Sequence, residues 1–412
     1  MTLSRRSFVA GVAAASLAGP GALAATESAD PTPDPSKGRL GEGPPSDRFD
    51  PWLEIDRSAL VTNAGIVSHL TGGRPILAVI KNNAYGLGLT QVAHILEPLE
   101  SIAGFAVVKA AAALALREAG VRKPVLLMGL FSDEDGPELV ARDIHLSLST
   151  DDSASRAARA AERAGKQAAA HVYLDTGMSR MGIPYHRALP VLEAAAALPI
   201  RIDGTFMGFT EEPEFDREQL RRFTDLAAEA RRRGASLGAL HAASSNGVFH
   251  LPEAHLDMVR PGIALFGAYP SDWEAERAMA ELVPAVRLRA RVVRVHRLRA
   301  GDTVSYGRRY EASEPTWIAT IPVGHADGYT SKAVNGAQIL IGDRLYPVIG
   351  SVSASHTIIE VGSERTLDIG DVATLVGPDD PAIHPNALAA TTSTSVYDVL
   401  MHLNSGLPRF LV

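Results

Sequence analysis

Ile76-Leu77-Ala78-Val79-Ile80-Lys81-Asn82-Asn83-Ala84-Tyr85-Gly86-Leu87-Gly88 passes in one step from an apolar run to a small, polar, glycine-containing one, with a single lysine at the junction. A hydrophobic run of this kind reads as a strand, and its terminal lysine puts an amine on the rim of a sheet or barrel. There the amine is partly desolvated yet open to a small molecule. Desolvation lowers a lysine pKa and so makes the amine a competent Schiff-base nucleophile. Gly86 and Gly88 allow the backbone to approach a bound group closely.

Outward from this run, short apolar segments alternate with Ala-, Leu- and Arg-rich helical stretches from Trp52 to about Tyr269. The expected strands are Ile76 to Lys81, Phe105 to Val108, Val125 to Gly129, His145 to Ser149, Ala170 to Asp175, Ile202 to Phe209, Gly238 to Ala243 and Val259 to Phe266. Eight strands separated by helical patterns are the signature of a (β/α)8 TIM-type barrel. A doubly wound open sheet shares this alternation, and the chemistry favours the barrel. Lys81, Asp175-Thr176-Gly177, Ser244-Ser245-Asn246 and Arg260-Pro261-Gly262 all fall at strand C-terminal ends, the rim where barrel sites lie. After Pro284, Arg287 to Arg297 alternates with a period of two, and further β-like runs are punctuated by Gly-Asp turns. Residues 51–283 therefore read as an α/β barrel and 284–412 as a smaller, mostly antiparallel β domain.

The leader has its own logic. Ser4-Arg5-Arg6-Ser7-Phe8-Val9 is a twin-arginine pattern, followed by a mild apolar run and an Ala22-Leu23-Ala24 cleavage site. Residues 1–25 are expected to be a twin-arginine signal peptide, which makes the mature protein periplasmic and leaves no membrane segment after cleavage. Residues 26–50 are rich in Pro, Asp, Gly and Ser and read as a flexible linker. A net charge of −7 gives no electrostatic reason to expect nucleic acid as a partner. With no cysteine among 412 residues, disulfides, thiol catalysis and Cys metal sites are all excluded. The histidines show neither H-E-x-x-H nor paired ligand spacing, so no metal is expected. No P-loop is present, and Gly86-Leu87-Gly88 lacks the third glycine of a dinucleotide fingerprint.

The string K-N-N-A-Y-G-L-G at Lys81–Gly88 resembles the pyridoxal-phosphate lysine motif of alanine racemases and their broad-specificity relatives. Four further stretches match that family in order: Asp175-Thr176-Gly177-Met178-Ser179-Arg180-Met181-Gly182, His241-Ala242-Ala243-Ser244-Ser245, Arg260-Pro261-Gly262-Ile263-Ala264-Leu265-Phe266-Gly267, and Val304-Ser305-Tyr306-Gly307 with Tyr310. Pro322 to Tyr329 is similar to P-x-G-Y-A-D-G-Y, and the likeness runs from Trp52 to Arg409. It implies a pyridoxal 5'-phosphate enzyme that racemises free amino acids, with Lys81 and Tyr306 as two catalytic bases on opposite faces of the substrate. By the same likeness the cofactor is held by Lys81, Tyr85, Arg180, Ser245, Arg260, Gly262 and Ile263. Arg260 would face the pyridine nitrogen; a guanidinium keeps its proton, so that nitrogen stays unprotonated and the ring is a weaker electron sink. Tyr306 would reach the neighbour's cofactor in a homodimer with shared sites.

The substrate-facing positions depart from the family. Tyr173 stands at the place of a carbamylated lysine and Gly208 at that of a histidine. His325 replaces a tyrosine, Ala354 and Ser355 replace Met and Asp, and Ser405 replaces a phosphate-binding tyrosine. Arg180, Ala354 and His325 are the expected substrate contacts, and the loss of bulk and charge implies a substrate range broader than alanine, open to side chains larger than methyl. A decarboxylase or D-amino-acid lyase on the same fold, or a racemase-like binding protein without turnover, remain as alternatives.

Overall fold

A computed structural model describes residues 48–195 and 198–412. The expected signal peptide and nearly all of the expected linker lie outside the described residues. The chain begins with β1 (Trp52–Ile55) and a helix over Arg57–Leu70, capped by the Asp56 carboxylate, which accepts from the Ala59 N–H at 3.0 Å. Parallel strands follow: β2 (Ile76–Val79), β3 (Ile102–Val107), β4 (Val125–Leu127), β5 (Ile144–Leu148) and β6 (Ala168–Asp175). A two-residue β7 (Ile183–Pro184), β8 (Ile200–Phe206) and β9 (Ala239–His241) complete the set. Their order is β2-β3-β4-β5-β6-β8-β9, with β7 pairing only with β6 and helices between them.

The expected eighth strand, Val259 to Phe266, is corrected to a short closure. Met258 bridges His241 and Val259 bridges Ile76, both in parallel sense, and the N–H groups of Leu77 and Val79 donate to Val259 and Pro261 carbonyls. Then Pro261 and Gly262 turn the chain into a 3-10 turn over Ile263–Phe266. Two residues of pairing suffice to close the ring, and the glycine-containing turn is freed to line its rim.

The second sheet contains β10 (Val286–Arg291), β11 (Arg294–Leu298), β14 (Thr316–Ile321), β15 (Gln338–Ile341), β16 (Arg344–Ile349), β17 (Thr357–Gly362), β18 (Val372–Val376) and β19 (Arg409–Leu411). A separate hairpin pairs β12 (Thr303–Val304) with β13 (Tyr310–Glu311). The nine-stranded order is β11-β14-β17-β16-β15-β18-β10-β1-β19, antiparallel except for β1 with β19. Two expectations change here. Trp52–Ile55 falls in the segment assigned to the barrel but pairs in this sheet. The single alternating run Arg287–Arg297 is two strands, because Val292 donates to the Asp371 carbonyl and Val293 to that of Thr320, so the chain changes partners between them. One continuous apolar core joins barrel and β domain, while Leu298, Val304, Ala312, Ile318 and Ile349 form a small satellite core. Among the described residues no helix is long and apolar enough to cross a membrane.

Candidate active site

Lys81 follows β2 at the barrel's C-terminal rim and opens a left-handed turn: Asn82, Asn83, Ala84 and Tyr85 have φ of 53°, 57°, 51° and 55°. Each non-glycine residue held there stores about 1–3 kcal/mol unless local bonds offset it, and Asn tolerates the region best. The bonds are present. Asn83 Oδ1 accepts from the Leu89 N–H at 2.9 Å, and the Gly86 carbonyl accepts from Arg409 Nε and Nη2 at 3.1 and 2.8 Å. The turn after the lysine is thus fixed from β19, at the far end of the chain. Burial, and next the Arg180 guanidinium, hold the Lys81 amine below the ordinary lysine pKa, while Glu211 opposes them.

Tyr85 is buried beneath this turn, its ring centroid 4.8 Å from Phe266 and 6.2 Å from Tyr397. Burial pushes its phenol pKa well up, so it stays protonated. Its hydroxyl rests against Gly262, where any Cβ would lie 2.1 Å from Tyr85 Oη. Only glycine admits this approach. Ser245 Oγ accepts from the N–H groups of Gly262 and Ala264 at 3.0 and 3.2 Å, so its own hydrogen remains for another acceptor. Ile263 is buried in the same turn. The neighbouring Ser244 hydroxyl is buried with no hydrogen-bond partner, an orphan that an anionic group at this corner would satisfy.

Arg260 is nearly inaccessible, and burial draws its pKa down to about 10, still a cation at neutral pH. Nη1 donates to the His241 carbonyl at 2.5 Å and to His241 Nδ1 at 3.1 Å; Nη2 donates to the carbonyls of Met207 and Ala242 at 2.5 and 3.2 Å. Those four bonds occupy the four terminal N–H groups and leave Nε–H as the free donor. Phe206 packs beneath the guanidinium, 5.1 Å from its carbon, and Tyr173 stacks on Phe206 at 4.3 Å. Tyr173 therefore fills its position as an aromatic support.

The loop carrying Arg180 is shaped by Asp175, whose Oδ1 accepts from Gly177 and Ser179 N–H groups at 2.9 and 3.0 Å, and by Arg222, which donates to the Thr176 carbonyl at 2.9 Å. Arg180 itself is exposed, close enough to act electrostatically on Lys81 and on Glu211. Glu211 was not anticipated from the sequence. It sits at φ 64° in a loop whose Thr210 and Glu211 N–H groups both bond the Asp216 carboxylate. Burial first, then Asp216, raise its pKa above the usual carboxylate value.

Barrel residues Lys81, Tyr85, Arg180, Ser245, Arg260, Gly262 and Ile263 thus form one rim. Tyr306, His325 and Ala354 form a second group on the β domain. The Ser305 hydroxyl donates to the Ser351 carbonyl at 3.1 Å, and Ser351 Oγ donates to the Tyr306 carbonyl at 3.2 Å. His325 and Ala326 N–H groups donate to Ser353 and Ala354 carbonyls at 3.0 and 2.9 Å. Tyr306 is 76 % exposed, and the cavity beside it is lined by β-domain residues. None of these three side chains bonds a barrel residue within the described chain.

The rim fits pyridoxal phosphate. Lys81 supplies an amine, Arg260 Nε–H a donor for a ring nitrogen, Ser245 and the unpartnered Ser244 hydroxyls for a phosphate, and Gly262 a turn that seats the Tyr85 hydroxyl against the rim. Among the described residues no cluster of three or more His, Asp or Glu could hold a metal ion.

Comparisons with known proteins agree with this geometry. Residues 55–270 match the family model described as alanine racemase, N-terminal domain, and residues 285–411 that of its C-terminal domain. The chain is 32 % identical over 367 residues to the alanine racemase of Methanococcus maripaludis, covering 87 % of this chain and 97 % of that one. Among solved structures it is similar to the alanine racemase of D-cycloserine-producing Streptomyces lavendulae, with a TM-score of 0.84 at 28 % identity over 90 % of this chain and 98 % of that one. A histidine racemase from Leuconostoc mesenteroides also matches, with a TM-score of 0.80 at 26 % identity over 89 % and 99 % of the two chains.

Proposed function

Since the chain belongs to the alanine racemase family, and is accordingly a pyridoxal-phosphate-dependent amino-acid racemase, we propose that Lys81 and Tyr306 are its two bases and that its substrates extend beyond alanine. When bound, the cofactor supplies the electron sink that stabilises charge left at the substrate α-carbon. The chain's own residues do the rest. Lys81 Nζ, held by the rigid turn and kept below its ordinary pKa, takes or returns the α-proton on one face. Tyr306 Oη serves the opposite face, because one base cannot reach both. Arg180 holds the carboxylate and phenolic oxygen, and Arg260 orients the ring while withholding a proton from its nitrogen.

Tyr306 is the observation that carries the assembly. A catalytic base that stands 76 % exposed, with no side-chain bond to a barrel residue among the described residues, suits a site completed by a second copy, so the working unit is a homodimer. Breadth of substrate rests on His325, Ala354 and Ser355, all exposed on adjoining loops with no bulky side chain at 354 or 355. The histidine racemase among the similar structures supports side chains larger than methyl. Incubation with each L-amino acid in deuterated water tests racemisation and its range. Solvent deuterium and the D-isomer should appear for alanine and for larger residues. Exchange confined to alanine would refute the broader range, and carbon dioxide release without the D-isomer would refute racemisation. The twin-arginine leader places the mature enzyme in the periplasm on this reading. Arg5→Lys with Arg6→Lys should trap it in the cytoplasm, and unaltered export would overturn that assignment.

A further inference from the structure

Behind Arg260, on the side away from the cofactor rim, the barrel interior holds three histidines in a row. His241 Nε2 lies 2.9 Å from His171 Nδ1, and His171 Nε2 lies 3.2 Å from His145 Nδ1. Beyond them Asp203 Oδ2 stands 3.5 Å from the same His145 Nδ1, and Arg201 Nε and Nη2 donate to Asp203 at 2.6 and 2.7 Å. The row descends from the last residue of β9 to the second residue of β5, crossing from the cofactor rim toward the opposite mouth. His241 is fully buried and His171 nearly so, whereas the His145 and Asp203 side chains are 14 % and 23 % exposed.

β8 would normally separate His171 from His241, and it does not because residue 204 is glycine. A Cβ built there would lie 2.4 Å from His171 Nδ1 and 2.9 Å from His241 Nε2, inside the hydrogen bond itself. The gap is specific to the contact.

Hydrogen positions follow from the ends of the row. A guanidinium only donates, so His241 Nδ1 must accept from Arg260 and a neutral His241 carries its hydrogen on Nε2. His241 then donates to His171 Nδ1, and His171 in turn donates from Nε2 to His145 Nδ1. The order is forced at every step. Burial favours it, because desolvation lowers the pKa of His241 and brings that of His171 to about 3, so both stay neutral. The outer end differs. His145 Nδ1 receives the His171 N–H and also faces the Asp203 carboxylate. Burial lowers the His145 pKa, Asp203 and Asp143 raise it, and Arg201 and Arg117 lower it. A proton taken up on Nδ1 pairs with Asp203 and removes the acceptor that His171 needs.

We propose that His171, His145 and Asp203 are positioning residues that hold the Arg260–His241 contact in one tautomeric order from the far mouth of the barrel, and that protonation of His145 opens this row. The proposal rests on the reading that Arg260 serves the cofactor ring nitrogen. Two measurements on the holoenzyme test it, and the first needs no turnover, so failure of the row is distinguishable from failure of the racemase reading. Long-range 1H–15N spectra of histidine-labelled protein, assigned with His145→Gln, His171→Gln and His241→Gln, should show Nε2–H for His241 and His171 at neutral pH. Gly204→Ala should abolish that order. An Nδ1–H on His241 overturns the proposal.

Second, the cofactor absorbance band should respond to acid with a midpoint that tracks His145. Asp203 favours the imidazolium, so Asp203→Asn should move the midpoint about one unit lower. Asp203→Glu should restore it, and His145→Gln should remove the transition. Packing alone would not move a midpoint in one direction and bring it back with a carboxylate. If Asp203→Asn and His145→Gln both leave the acid response where it was, the row does not act on Arg260.

Discussion

The two halves of the site are built to opposite plans. On the barrel rim nearly every polar group is committed: Arg260 uses its four terminal N–H groups, Ser245 accepts two bonds, and the Lys81 turn is tied to Asn83 and to Arg409. Tyr85, Ile263 and Phe266, packed among these groups, belong to the continuous core that barrel and β domain share. On the β domain, Tyr306 stands free, His325 and Ala354 are exposed, and the Tyr306 loop rides on the small satellite core that includes Val304 and Ile349. One half is preorganised and, Arg180 apart, largely buried, as a site for a fixed group must be. The other is an open surface whose Tyr306, His325 and Ala354 side chains bond no barrel residue among the described residues. On the proposed function, chemistry common to many substrates falls to the rigid half and selectivity to the half that tolerates change.

The largest effect should come from the rigid half. Lys81→Ala removes an anchor and a base together, so racemisation should fall by about 10^4-fold or more, with loss of the cofactor's lysine-linked absorbance band. An unchanged band in this variant would break the assignment of Lys81. The open half should act differently. Tyr306→Phe removes one hydroxyl with no bond among the described residues, so stability and cofactor content should hold while turnover drops about 10^2–10^4-fold. Mixing Lys81→Ala chains with Tyr306→Phe chains should recover activity through hybrid dimers. No recovery, with subunit exchange verified by native mass spectrometry, would place both bases in one chain.

This division also explains how much could be read in advance. Barrel strands that end in Lys81, Asp175 and Arg260 were legible because their function and their fold require the same short stretches of sequence. The closing strand was over-read: apolar character continues from Val259 through Phe266, but Gly262 bends the chain after two paired residues. Arg287–Arg297 looked like one strand because its alternation survives the change of partner at Val292 and Val293. Helices over Pro385–Thr392 and Val396–Met401 went unseen, as did β19, whose partner β1 is separated from it by nearly the whole chain. Arg409 was visible only as the last residue of the family likeness, while its work is to brace the Gly86 carbonyl. Glu211, His145 and His171 carry no local motif, and His241 was visible only as the start of His241-Ala242-Ala243-Ser244-Ser245. The fold alone brings them together, so periodicity had nothing to detect.

Glu211 gives a smaller and more pointed test of the rigid half. Its carboxylate raises the Lys81 pKa against the lowering by burial and Arg180. Glu211→Gln removes that support, so the Lys81 pKa should fall further and the rising limb of the kcat/KM profile should move to lower pH. A shift to higher pH would mean that Glu211 does not act through the lysine.

The smallest effect should fall on the open half and should be one of preference more than rate. Ala354 is exposed beside His325, and its carbonyl is engaged by the Ala326 N–H, so the loop is held by its backbone and the side chain is free to vary. Ala354→Met adds volume at the substrate edge without disturbing a buried group. Discrimination by such a pocket is about 1–3 kcal/mol per methylene-sized difference, so the ratio of kcat/KM for alanine to that for a long side chain should rise by about 10- to 200-fold. The change should appear mainly as lost activity on the longer substrate, with alanine turnover and thermal stability nearly constant. Equal losses on both substrates would show that residue 354 props the Tyr306 loops instead of facing the substrate. The selective surface would then have to be sought around Arg180 and Glu211, on the barrel side of the site.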